Sequence, residues 1–178
     1  MPYKSVALKN GQTAKLNWLK EGDLPEVVDA LNSVIREDKY LLIVNEIKDL
    51  PSELEWFRGA EAAGMRYLVA RVNGKVVGGA SLTPFKGKRS HIAEFGIYII
   101  ESHRDLGIGT VLTKELIEAA RSSRYETLQL STFSSNKRAL HVYKKCGFKR
   151  CGKLTHEIKF QDGTYADRIL MELPLSMQ

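Results

Sequence analysis

Residues 91–110 read HIAEFGIYIIESHRDLGIGT, and no other stretch limits the fold of this chain as much. Residues 92–100 form an apolar run bounded by charged positions, the pattern of a buried strand. The run breaks into Arg104-Asp105-Leu106-Gly107-Ile108-Gly109-Thr110, and Ile108, Val111, Leu112, Leu116 and Ala119 then recur at helical spacing. A strand that turns through glycines straight into a helix makes an anion site. The first amides of a helix have no partner inside it, and the helix dipole adds positive potential. Glycine lets the backbone approach a phosphate with no Cβ in between.

Two nucleotide folds are excluded by what stands nearby. A P-loop needs GxxxxGK[ST], and the chain has none. A dinucleotide fingerprint wants a third glycine where Leu112 stands and an acid where Phe133-Ser134-Ser135 follow the next strand. What remains is Arg-x-x-Gly-x-Gly. A second pattern lies downstream, Asn136-x-x-Ala139-x-x-x-Tyr143-x-x-x-Gly147-Phe148. Asn136 and Tyr143 are two helical turns apart and share a face, and Ala139 lets the helix pack closely. Each residue alone has a plain structural reading, Asn136 as a helix cap and Tyr143 as a half-buried aromatic.

The flanking chain is regular. Asn10-Gly11, Asn73-Gly74 and Asp162-Gly163 each separate strand-like runs and predict three hairpins. Asp23 and Glu26 predict a capping box for a helix with Leu24, Val27, Val28, Leu31, Val34 and Ile35 on its apolar face. Ser52 and Glu55 predict a second, ending at Gly64. Residues 127–132 read as a strand, and residues 136–146 as a helix with Ala139, Val142 and Cys146 inward. Residues 38–48 read as a helix end and loop. The expected fold is a mixed α/β sheet with helices on both faces, one domain over residues 1–178.

The Arg-x-x-Gly-x-Gly turn and the Asn136–Phe148 block resemble the two signature motifs of the GNAT superfamily of acetyl-CoA-dependent N-acetyltransferases. The order of elements is similar from about Thr13 to Leu173. The resemblance implies a twisted, mostly antiparallel sheet that parts between its fourth and fifth core strands. It implies acetyl-CoA as co-substrate, with the pyrophosphate on Asp105, Leu106, Gly107, Ile108, Gly109 and Thr110 and with Arg104 alongside. It implies main-chain pairing of the pantetheine arm with Ile97, Tyr98 and Ile99, a contact from Asn136, and Tyr143 as the acid for the leaving thiolate. Pairing of subunits is common in the superfamily, so a homodimer stays open.

An attacking amine must be neutral, so a base is needed, and Glu94, three residues before Ile97, is the candidate. His91 is expected at a strand end and His103 beside the phosphate. The nearest likeness is to the spermidine acetyltransferase group, through Ala93-Glu94-Phe95, residues 140–148 and the tail 152–171. In an enzyme group that acetylates a protein N-terminal alanine, a glutamate stands five residues before the motif asparagine; here that position is Ser131. The net charge is +6, yet residues 21–61 carry eleven acids against four bases, a local −7 that leaves +13 elsewhere. That favours a cationic acceptor, a polyamine-like amine first and a basic protein's N-terminus or lysine second. A non-catalytic acyl-CoA sensor is a third reading. Nucleic acid would need a continuous basic, aromatic face and is not expected. Cys146 and Cys151 have no ligand spacing around them, which predicts free thiols, no metal and a cytoplasmic setting. No apolar run reaches 18 residues and residues 1–10 lack a leader's apolar core, so no membrane partner is expected.

Overall fold

The computed structural model describes residues 4–175; residues 1–3 of the stretch read for a leader and residues 176–178 of the predicted domain lie outside the described residues. Strands β1 (Lys4–Ala7) and β2 (Thr13–Trp18) form the first hairpin, with Gly11 at φ +82°. Helices α1 (Leu24–Ile35) and α2 (Leu50–Ala62) follow, then β3 (Arg66–Val72), β4 (Lys75–Pro84) and β5 (Ile92–Ile99). Helix α3 (Ile108–Ser122), β6 (Thr127–Phe133), α4 (Lys137–Lys145), β7 (Lys149–Lys159) and β8 (Tyr165–Pro174) complete the chain.

All eight strands form one sheet in the order β1-β2-β3-β4-β5-β6-β8-β7. Every neighbouring pair is antiparallel except β5 and β6. Helices α3 and α4 cover one face through Ile108, Leu112, Leu116, Ala120 and Tyr143. Helices α1 and α2 cover the other through Val27, Val34 and Phe57. The 3.6-residue periodicity of α3 is what hides Leu112 and Leu116 entirely.

The parallel pair is short. It runs only from Ile92 opposite Thr127 to Glu94 opposite Gln129. Beyond Glu94, β5 stays with β4 as far as Gly78 opposite Ile99, and β6 stays with β8 as far as Phe133 opposite Arg168. The sheet therefore opens between two well-paired halves, at the place the resemblance implied.

Two helix starts differ from expectation. Asp23 does not cap α1; its carboxylate accepts from the Lys20 amide and pairs with Arg71, which also holds Glu26. Helix α2 begins before Ser52. Asp49 is its cap and accepts from the Ser52 amide and hydroxyl, with Pro51 in the first turn. In α1 the carboxylate turned back to close the preceding turn and bind Arg71, and in α2 the acid three residues earlier took the cap. Residues 36–49 form a strap with no regular structure, pinned at its base. Buried Asn32 both donates to and accepts from the Ile47 backbone, Arg36 pairs with Glu46, and Asp38 accepts from the Gln161 amide.

Candidate active site

Gly107 stands just before the first turn of α3 at φ +98°, a conformation that side chains rarely adopt, and no side chain caps this helix. The first-turn amides of Ile108, Gly109 and Thr110 are thus open to a ligand. A Cβ on Gly107 would meet nothing within 4 Å, so backbone twist, not crowding, requires glycine there. A Cβ on Gly109 would lie 3.3 Å from Ile99 Cδ1, against β5. Asp105 is also left-handed, at φ +63°, and its carboxylate is held 2.9 Å from Arg138 Nε. Leu106 and Ile108 face the core, so they offer only main chain to this turn; Leu106 C=O accepts from the Lys9 amide at 3.3 Å.

The turn opens into a cavity of about 1030 Å³ that follows the gap between β5 and β6. Strand alternation decides which groups face it. Ile92 C=O and Ile100 N–H bond toward β4, so the main chain of Tyr98 does too, and that of Ile97 and Ile99 faces the gap. Tyr98 was expected to pair with a ligand through its backbone; that backbone is spent on β4. Its ring lies on the other face, with its hydroxyl 3.3 Å from Val27 C=O, and burial pushes its phenol up to about 12.

Arg104 borders the same cavity but is committed elsewhere. Its guanidinium donates to both Glu37 oxygens and to Ile99 C=O at 2.9 Å, and sits 4.6 Å above the Tyr40 ring. It joins the glycine turn to the strap, so the positive potential for an anion falls to the helix amides and to Lys9, Lys137 and Lys145 on the cavity wall, Arg138 being paired with Asp105.

Across the gap stands α4. Tyr143 lines the cavity yet is only 6% exposed, between Phe95 and Phe148. Its hydroxyl makes no hydrogen bond to any described residue, and burial holds the phenol well above the ordinary tyrosine range. Asn136 lines the cavity as well, but its Oδ1 accepts from the Ala139 amide at 3.1 Å. It is the helix cap, and its amide NH₂ alone is left for a ligand. Glu94 lies on the same wall as Ser81 and Thr83, exposed to the cavity and in no ion pair among the described residues. His91 and His103 do not border the cavity; His91 offers its carbonyl to Glu126, and His103 Nδ1 is 2.9 Å from the Ser102 hydroxyl.

The charge argument for a cationic acceptor does not carry into the geometry. Residues 21–61 contribute only Val34, Tyr40, Leu41, Leu42 and Ile43 to the cavity, and no carboxylate. None of the eleven acids borders it, and five are held by arginines: Glu21 by Arg58, Asp23 and Glu26 by Arg71, Glu37 by Arg104 and Glu46 by Arg36. The sequence reading missed the strap's apolar tip, Lys9, Ser81, Thr83 and the Thr132–Phe133 bank, and named Ser131 only as the position where a glutamate is lacking. Of these only the tip carried a signal, a run of four aliphatic residues inside a loop.

The sequence model of the acetyltransferase (GNAT) family matches residues 29–148. An L-amino acid N-acetyltransferase of Escherichia coli (strain K12), AaaT, is 33% identical over 124 residues, 68% of this chain and 76% of that protein. A putative phosphinothricin acetyltransferase of Bacillus subtilis (strain 168), YwnH, is 30% identical over 163 residues, 90% of this chain and 99% of its own length. Neither is described as a polyamine enzyme. A Salmonella typhimurium putative acetyltransferase, solved with its cofactor acetyl-CoA, shares the fold at a TM-score of 0.84 and 21% identity, covering 93% of this chain and 95% of that one. The match over most of the chain, on a sheet that opens beside an uncapped helix, makes this protein a member of the acetyltransferase (GNAT) family of N-acetyltransferases.

Proposed function

We propose that the protein moves an acetyl group from acetyl-CoA to a small primary amine of the amino-acid class, by direct attack in a ternary complex. One observation carries this reading. The uncapped start of α3, the open edge of β5, Tyr143 and Glu94 all border a single cavity. Its volume of about 1030 Å³ is at the upper end of small-molecule sites, room for a cofactor arm and an acceptor together. The α3 amides and the basic wall hold the diphosphate. The main chain of Ile97 and the Ile99 amide, whose carbonyl Arg104 already holds, pair with the pantetheine arm as an added strand would, and the Asn136 NH₂ bonds it from the far side.

The chemistry follows from the two banks. Glu94 takes the proton that keeps the incoming amine as an ammonium. The freed nitrogen lone pair attacks the thioester carbon, and the Ile97 amide stabilises the charge that builds on the carbonyl oxygen. The new C–N bond forms, the C–S bond breaks, and the nitrogen's remaining extra proton goes to the Tyr143 oxygen as that phenol's own hydrogen leaves, while Glu94 returns its proton to solvent. Tyr143 donates its phenolic hydrogen to the departing sulfur. Burial makes that phenol a weak acid, but it makes the thiolate a stronger base for the same reason.

The acceptor class rests on the relatives' names and on the acceptor wall, where Ser81 and Thr83 supply hydroxyl donors for a carboxylate and Glu94 is the one acidic side chain among the described residues of that wall. A polyamine would bring a second ammonium with no partner on that wall. Purified protein offered acetyl-CoA with amino acids, spermidine and lysine-rich peptides tests this by release of free thiol. Amino acids are expected to turn over best. Preference for spermidine or peptide would replace the acceptor class, and tight acetyl-CoA binding with every amine inert would leave a sensor.

A further inference from the structure

We infer that the strap tip, Leu41-Leu42-Ile43, is the specificity element of the site and selects acceptors whose amine carries an apolar substituent. The inference rests on the acetyltransferase reading and says which amines that site prefers.

Leu42 is 58% exposed and Ile43 49% exposed, and both border the cavity. Aliphatic side chains left in water at the edge of a cavity gain when a ligand covers them. The strap is held to present them. Tyr40 and Leu41 are tucked against the α1–α2 core, and the base is tied by Asn32 to Ile47, by Arg36 to Glu46 and by Asp38 to Gln161. Arg104 and Glu37 fix its near end to the last residue of β5. The tip therefore costs little further ordering when a ligand arrives.

The wall opposite sets the direction of the acceptor. Strap, β4 and β5 bring Val34, Leu41, Leu42 and Ile43 to the same cavity as Ser81, Thr83 and Glu94. An amine held at Glu94 shares its cavity with the aliphatic tip, which is the apolar surface its substituent can cover. A charged or strongly hydrated substituent would lose its water there with no partner in return.

The test compares kcat/KM for L-leucine and L-methionine with glycine and L-serine, in the full chain and in the Leu42→Ala/Ile43→Ala double variant. Leucine and methionine are expected to exceed glycine by roughly 10–100-fold, the range an apolar pocket yields for a few methylenes. In the double variant that ratio falls to within about threefold, with the acetyl-CoA dissociation constant unchanged. Glycine or serine preferred by the unaltered protein, or a ratio the double variant leaves intact, overturns this inference alone. Turnover of no amine at all, with acetyl-CoA bound, overturns the acetyltransferase reading and this inference with it.

Discussion

The guanidinium of Arg104 meets the carboxylate of Glu37 on both prongs, Nη1 donating to Oε2 at 2.7 Å and Nη2 to Oε1. The two side chains are only 10% and 16% exposed. The pair ties the end of α1 to the segment that leads into the glycine turn, and through Nε to Ile99 C=O it also holds the last residue of β5. Removing the arginine would leave a carboxylate largely shut off from water, which costs far more than a surface pair. Arg104→Met should therefore lower stability by about 3 kcal/mol, a drop in Tm of roughly 6–12 °C for a chain of this size. Because the same residue positions the strap, KM for the acceptor should rise more than the dissociation constant of acetyl-CoA. Thermal unfolding beside calorimetry measures both; a loss under about 1 kcal/mol would place the pair with ordinary surface bridges.

Tyr143→Phe separates chemistry from folding unusually well. The hydroxyl has no protein partner among the described residues, so its removal deletes no hydrogen bond and keeps the contacts with Phe95 and Phe148. Stability should move by no more than about 0.5 kcal/mol. The maximal rate should fall roughly 10²-fold if the phenol serves the leaving sulfur. Single-turnover rates with unchanged acetyl-CoA affinity check this. A rate equal to the parent's would assign the proton to water.

Much of this site was legible because it is built from short-range signals. The apolar run, the glycine turn and the renewed helical period lie within twenty consecutive residues, so β5 and the start of α3 follow from local chemistry. The same holds for Asn136 and Tyr143, whose shared face is fixed by helix geometry. What failed were readings that depend on distant partners. Arg104 looked free for a phosphate, but Glu37 lies 67 residues away in sequence. The acids of residues 21–61 looked like a charged wall, but none of them borders the cavity and five are taken by arginines that lie up to 67 residues away. Tyr98 looked like a ligand contact because a strand's hydrogen-bonding side depends on which neighbour it pairs with.

The two glycines of the turn should respond differently. Gly107 sits at φ +98° with open space around its Cα, whereas Gly109 has an ordinary helical backbone and a flexible Ile99 methyl 3.3 Å from where a Cβ would be. Gly107→Ala should cost about 1–2 kcal/mol through the left-handed backbone alone. Gly109→Ala should be close to neutral, because helix propensity gains up to about 1 kcal/mol and offsets the contact. Gly107→Val should also weaken acetyl-CoA at least tenfold, since its methyls enter the space above the helix amides. Urea unfolding and calorimetry read the two effects. Equal stability of the two alanine variants would contradict the backbone argument, and unaltered binding by the valine variant would move the diphosphate elsewhere.

The buried phenols predict where the fold fails in alkali. Burial lifts Tyr98 from 10.0 to about 12, and lifts Tyr67 and Tyr143 in the same direction. Between those values the unfolded chain has lost a proton that the native state keeps. The unfolded state then binds fewer protons, so stability is whole below pH ~10 and falls as pH rises toward the folded value. Each such group contributes a slope of about 1.4 kcal/mol per pH unit. Tyr98→Phe gives up the bond to Val27 C=O and so lowers stability at every pH, but it removes one titrating group. Its stability should therefore decline less steeply than the parent's, by about 1.4 kcal/mol per unit between pH 10 and 12. Urea midpoints taken at half-unit intervals across that window give the two slopes. Parallel lines would mean that the Tyr98 hydroxyl ionises in the folded protein as readily as in water.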